Sequence, residues 1–232
     1  RMIQWEKMAA LGEMAASVAH EIRNPLVSIG GFTRRLRKSL TGDDRGIQYA
    51  DIIIQEVDRL ERTLDDVMSY SRSYAIMEKR PVDLYGLLSE CAELFKENFK
   101  KKKVHLLRQF GRDLPVLEVD ERQIKQAVLN VLFNAGEAVA EGSEVEFDAG
   151  ISGEGLVVIS VTDNGGGIDD KELGNIFQAF YTTKGTGTGL GLTIAHRAVA
   201  AHGGEIRVDN RRSKGVTFSI CLPVNDPADR TT

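Results

Sequence analysis

The chain has 232 residues, a formal net charge of −4, and 42% hydrophobic and 28% charged residues. That length suits one large domain or two small ones, and the charge gives no global basic field, so neither nucleic acid nor an anionic membrane surface is an expected partner. Cys91 and Cys221 lie far apart and outside any metal-type spacing, which suits a reducing, cytoplasmic setting, and no apolar run approaches the roughly 20 residues of a bilayer span.

The chain begins at Arg1 inside a helical pattern, so it reads as a piece of a longer protein. Residues 1–78 carry no strand signal. Apolar residues recur at Leu11, Met14 or Ala15, Val18, Ile22, Leu26 or Val27, Ile29, Leu36 and Leu40. A second stripe runs through Ala50, Ile53 or Ile54, Val57, Leu60, Leu64 and Val67. Steps of three and four predict two long amphipathic helices with a coiled-coil-like seam. "TGDDRG" (Thr41 to Gly46) supplies the turn between them. The expectation is an antiparallel hairpin that dimerises into a four-helix bundle, because one hairpin cannot cover both stripes. Packing against the rest of its own chain is the alternative.

Within the first helix stands "AHEIRNPLVS". With Val18 and Ile22 facing inward, about 100° per residue turns His20 outward. If Glu21 accepts the Nδ1 proton, Nε2 keeps its lone pair as a nucleophile. Asn24 lies within about 40° of the same face and can position a water. Pro25 cannot donate to the carbonyl of Glu21 and crowds it, which permits a bend beside the histidine.

"EKRPVDL" (Glu78 to Leu84) reads as a linker, residues 79–82, because Pro81 disfavours helix at the preceding residue. A domain over 83–226 follows, with a frayed tail at 227–232. Its expected elements are a helix at 83–99, strands at 104–110 and 115–119, a helix at 121–141 and strands at 144–151 and 156–163. After a glycine-rich loop come a helix at 189–202 and strands at 205–209 and 215–222. Strands such as "GLVVISVTD" and "GVTFSICLP" are apolar enough to lie under helices, which predicts a two-layer α/β sandwich. The lysine run in "KENFKKKKV" (Lys96 to Val104) reads as a solvated helix end or as a local basic patch.

Three stretches of this domain carry chemistry. "NVLFNAGEA" puts Asn130 and Asn134 on one helix face, where their oxygens suit Mg²⁺ or simply hydrogen-bond locally. "VTDNGGGI" ends a strand on Asp163, which can accept a hydrogen bond from an exocyclic amine such as adenine N6. Gly165 and Gly167 then permit a tight turn and a flat ligand, although a plain hairpin turn fits the same residues. "TTKGTGTGLGL" (Thr182 to Leu192) opens a helix with glycines, a pattern for an anion site built from backbone N–H groups, with Lys184 as a point charge. It is neither a dinucleotide fingerprint nor a Walker loop.

"HEIRNPL", with "LGEMAASVA" before it, resembles the phosphoacceptor box of two-component sensor histidine kinases. The later stretches, with "IFQAFYTTK" and "KGVTFSICLP", resemble in order the nucleotide boxes of the GHKL (Bergerat) ATP-binding superfamily. The resemblance covers residues 8–223. It implies a dimeric helical hairpin followed by a GHKL sandwich. It also implies autophosphorylation of His20 from ATP with Mg²⁺, assisted by Glu21. Transfer to an aspartate of a response-regulator receiver domain would follow, and Asn24 would serve dephosphorylation of that partner. Asn134 would hold Mg²⁺ with Asn130 supporting it, and Asp163 would recognise adenine with Thr217 nearby. Gly165, Gly167, Gly187, Gly189, Leu190 and Gly191 would shape the pocket and a short lid, Asn164 to Thr188, of the nitrogen-regulation type. Lys184 would meet phosphate. Superfamily members that hydrolyse ATP directly carry a glutamate where this chain has Asn130, so efficient hydrolysis is not expected. An upstream sensor region in the parent protein is implied as well. The competing readings are a dimeric nucleotide-binding scaffold without autokinase activity, and an ATPase or serine kinase. His105, His196 and His202 match no catalytic position, and Trp5 is expected to pack in the helical stem.

Overall fold

A computed structural model describes residues 22–41, 44–72, 77–184, 187–210 and 215–224. The chain divides into two compact units, Arg1–Ala75 and Ile76–Thr232.

In the first unit, helix α1 is described over residues 22–39 and helix α2 spans Asp44–Arg72. Arg23 pairs with Asp65, Arg34 with Asp58 and Arg37 with Asp51. The first number rises as the second falls, so the helices are antiparallel. Such exposed pairs contribute at most about 1 kcal/mol each, so they mark register rather than hold the hairpin. Leu26, Thr33, Ala50, Val57 and Met68 are buried. A Cβ at Gly30 would lie 3.1 Å from Val57 Cγ1, so the glycine lets the helices approach closely.

The expected stripe splits in two. Ile22, Ile29 and Leu36, spaced by seven, remain 43–55% exposed, as do Ile53 and Leu60 at 43% and 42%. One hairpin has one seam, and Leu26 and Thr33 occupy it, so the heptad-spaced isoleucines and Leu36 form a second, uncovered row. Asn24 and Pro25 lie within α1, both exposed. Trp5, His20 with its expected outward direction, Glu21 and part of the Thr41–Gly46 turn lie outside the described residues.

The second unit opens with a correction. The residues read as a linker form strand β1 (Arg80–Asp83), antiparallel to β3 (Val116–Val119). Pro81 is compatible because a two-stranded ribbon has free edges, where a missing N–H costs no ladder bond. Asp83 then caps α3 (Leu84–Phe99), accepting from the N–H of Tyr85 and Gly86. Strand β2 (His105–Gln109), helix α4 (Glu121–Ala138), strands β4 (Glu144–Ile151) and β5 (Leu156–Asp163), and a short α5 (Asp170–Leu173) follow. Helix α6 (Gly191–Ala201) and strands β6 (Glu205–Asn210) and β7 (Val216–Pro223) complete the unit. Helix α4 stops short of the expected 141 because Val139 is extended, at φ −88° and ψ 159°.

The main sheet has the order β2-β4-β5-β7-β6 and is antiparallel except for β2 with β4. Alternation puts Val145, Phe147, Val157, Ile159, Val161, Phe218 and Ile220 on one face, packed with the buried sides of α3, α4 and α6. The other face carries hydroxyl rungs, Ser160 with Ser219 at 3.0 Å and Thr162 with Thr217 at 2.9 Å. The architecture is the expected helical hairpin followed by a two-layer α/β sandwich.

His202 ties α6 to α4. Its Nε2 accepts the N–H of Asp120 at 2.9 Å, so Nδ1 carries the proton and donates to the carbonyl of Ala198 at 2.6 Å. Asp120 caps α4 through Gln123. Burial pushes the imidazole below its ordinary 6.5, with Lys79 adding to the shift and Ala198 and Asp120 opposing it. The folded chain therefore binds fewer protons at this residue than the unfolded chain, and its stability falls as pH drops below about 6.5. A melting-temperature series from pH 7.5 to 5 is expected to fall for the parent chain and to be flatter for His202→Ala.

Candidate functional site

Strand β5 ends on Asp163, whose side chain points to the helix-covered face and is 4% exposed. Oδ1 accepts the N–H of Gly165 at 2.8 Å. Burial raises its pKa, while the backbone of Gly165 and Val216 and the charge of Lys184 pull it back. A Cβ at Gly165 would lie 2.9 Å from the carbonyl of Ala138 and 3.0 Å from Asp163 Oδ1, so only glycine brings this loop against the end of α4. Gly167 follows with φ +75°.

Helix α4 forms the opposite wall. Asn130 accepts from Gln126 and donates to the carbonyl of Gly191, both at 2.9 Å. Its amide thus ties α4 to the first residue of α6. Asn134 Oδ1 accepts from Lys184 Nζ at 2.8 Å, and the same ammonium donates to Glu137 Oε2 at 2.9 Å. An oxygen that already receives a cation in this geometry suits a hard divalent ion. No cluster of three or more metal-binding side chains exists among the described residues.

The segment between these walls is riveted at several points. Asn210 clips Ile168 through both backbone groups, accepting its N–H at 2.9 Å and donating to its carbonyl at 2.7 Å. Thr193 Oγ1 donates to the carbonyl of Phe177 at 3.0 Å. The N–H of Phe180 donates to the carbonyl of Gly189 at 3.1 Å. Gly189 has φ +67°, and a Cβ there would lie 2.5 Å from Phe180 C, so a larger residue strains the turn twice. Gly187 packs against Thr182, and Leu190 is buried as the residue before α6. Leu190 at the N-cap of α6 offers no side-chain cap to the helix, and the free N–H groups of a helix start can receive an anion.

The fold therefore brings Asp163, Gly165, Asn134 and Lys184 together beside α4, with Asn130 as a brace from α4 to Gly191 at the start of α6. Thr217 does not join them. Strand alternation turns its hydroxyl to Thr162 on the opposite face of the sheet, and buried Val216 is the β7 residue beside Asp163. Glu137, Thr193, Asn210 and Val216 escaped the sequence reading. Glu137 was detectable as a neighbour of Asn134 one turn along α4; Asn210 carried no local signal.

Comparison with known proteins matches residues 10–75 to the His Kinase A (phospho-acceptor) domain. Residues 119–226 match the histidine kinase-, DNA gyrase B- and HSP90-like ATPase family. The signal transduction histidine-protein kinase AtoS of Escherichia coli (strain K12) is 34% identical over 231 residues, 100% of this chain and 38% of that protein. The chain thus spans less than half the length of that relative. Full-length ShkA in complex with AMPPNP superposes with a TM-score of 0.73 at 31% identity, covering 91% of this chain and 45% of that one. Histidine kinase ThkA in complex with the response regulator protein TrrA gives 0.66 at 33% identity, covering 97% of this chain and 65% of that one.

Proposed function

The chain belongs to the two-component sensor histidine kinases, and from that premise we propose that it autophosphorylates His20 from ATP and passes the phosphoryl group to an aspartate of a response-regulator receiver domain. The observation that carries the reading is the convergence of Asp163, Asn134 and Lys184 beside the glycine-rich turns, which would line a nucleotide cleft. Asp163, with a hydrogen-bond acceptor at the base of that cleft, orients adenine through its exocyclic amine. Asn134 would hold Mg²⁺, which when bound neutralises the phosphates. Lys184 and the open N-terminus of α6 supply further positive potential where charge develops on the phosphoryl group. Nε2 of His20 attacks the γ-phosphorus in line; the N–P bond forms as the bond to the β-phosphate oxygen breaks and ADP leaves. Glu21 holds the Nδ1 proton and steadies the charge on the ring. Asn130 stands as a brace rather than a base, which leaves water without an activator at that position. Asn24, exposed on α1, serves dephosphorylation of the receiver by positioning water.

The uncovered row of Ile22, Ile29, Leu36, Ile53 and Leu60 supports a second copy as the partner that completes a four-helix bundle. ShkA with AMPPNP and ThkA with its response regulator support the same ligand and partner classes here. No helix among the described residues is long and apolar enough to cross a membrane, and a cytoplasmic position for this segment, downstream of a sensor region, completes the proposal.

The test is a chase. The chain is incubated with γ-labelled ATP and then mixed with a panel of receiver domains. The proposal expects acid-labile, alkali-stable label that moves to one receiver. Nucleotide binding without any label would favour a signalling scaffold, and acid-stable label would mark a serine or threonine kinase; either result contradicts it.

A further inference from the structure

Lys184 makes an arrangement that the kinase reading alone does not require. Its ammonium bridges Asn134 Oδ1 and Glu137 Oε2, at 2.8 and 2.9 Å. The two acceptors are three residues apart on α4 and so share a face. The backbone beneath them is itself pinned, because Lys102 Nζ donates to the carbonyls of Gly136 and Glu137 at 2.9 and 3.0 Å, closing the end of α4. Glu137 thus stands on a pinned helix end with its carboxylate paired to a lysine from a glycine-flanked loop.

Resting on the proposed kinase activity, we propose that Glu137 is the positioning residue for Lys184: it seats the ammonium beside Asn134 and aims its donors at the nucleotide phosphates. An ammonium has three N–H bonds, and anchoring one of them on a carboxylate restricts where the others can point. A free lysine samples many rotamers, so an untethered Lys184 would deliver its charge to the phosphates in few of them. The carboxylate has a second use. A divalent cation on Asn134 Oδ1 repels an ammonium at the same oxygen. Glu137 offers that ammonium a place one turn along the helix, so both cations can stay near the phosphates. A neutral residue at this position would let the metal drive the lysine away. The loop bearing Lys184 is fastened to its own far end by Phe180 and Gly189; Lys184 alone ties it to α4 by a charged bond among the described residues.

Glu137→Gln, Lys184→Met and the double variant, made in the full chain, test this. Glu137 is exposed and the glutamine is nearly isosteric, so folding is retained. Hydrogen exchange without nucleotide is read at amides 180–184 and 187–190. Each single variant is expected to speed exchange about five-fold, the worth of one partly exposed charged bond, and the double variant no further. In autophosphorylation, Lys184→Met is expected to lower kcat in the parent but to add nothing in the Glu137→Gln background. Unchanged exchange in Glu137→Gln, or losses that multiply in the double variant, would overturn the assignment. The exchange needs neither ATP nor a phosphorylated histidine. A parent chain that never labels itself would therefore refute the kinase reading while leaving the exchange result to decide the pairing.

Discussion

Asp163→Asn is expected to weaken ATP binding by roughly a hundredfold or more, without lowering the melting temperature. The carboxylate is 4% exposed and one oxygen already takes the N–H of Gly165. The charge-assisted bond left for an exocyclic amine is worth about 1.5–3 kcal/mol. An asparagine that keeps the Gly165 bond must either present its NH₂ to the ligand's own NH₂ or give up one of the two contacts, so the loss includes an unmatched buried donor. Stability moves the other way. Burial raises the pKa of Asp163, which means that its ionised form costs folding free energy near neutral pH. The neutral amide removes that cost. Displacement of a fluorescent nucleotide, alongside a thermal melt, separates the two effects. The same variant is expected to narrow the preference for ATP over GTP, because a 6-oxo group meets repulsion from a carboxylate and not from an amide.

Asn134→Ala is the second large effect. It is expected to lower the autophosphorylation rate by about a hundredfold or more at saturating ATP, the scale of losing one preorganised electrostatic contact to the transferring group. Nucleotide binding in the absence of divalent metal should change little, because Asp163 and the glycine turn are untouched. Lys184 loses only a neutral acceptor in this variant and keeps its charged partner Glu137, so the loop is released less than in Glu137→Gln. Asn130→Ala makes the contrast. Its amide joins Gln126 to the carbonyl of Gly191, so its loss is expected to lower stability by about 1–2 kcal/mol and to weaken nucleotide with and without metal. Equal metal dependence in the two variants would contradict the division into ligand and brace.

Much of this was legible in the chain itself. The apolar run in "GLVVISVTD" marked β5 and its end at Asp163. Asn130 and Asn134, four apart on a helix, could only face the same way. Glycines at 165, 187 and 189 marked turns, and the close contacts around them give the reason. What stayed hidden depends on partners far along the chain. β1 was invisible because a proline suppresses the strand signal, and its partner lies 33 to 39 residues downstream. Asn210 clips Ile168 only because β6 lies at the sheet edge beside the loop after β5. Thr217 went to the wrong face for want of register. The resemblance pointed to β7, but pairing of Thr162 with Thr217 and of Val161 with Phe218 decides which side chains look inward. In the hairpin, spacing identified apolar positions but not which of two rows closes within one chain.

The central claim is that the phosphoryl group of ATP moves from this cleft to the imidazole of His20. It is tested most directly by labelling the parent chain and His20→Ala side by side with γ-labelled ATP, with nucleotide binding measured on both. The account predicts equal binding, acid-labile label on the parent and none on the variant. Label of the same stability persisting on His20→Ala would contradict it.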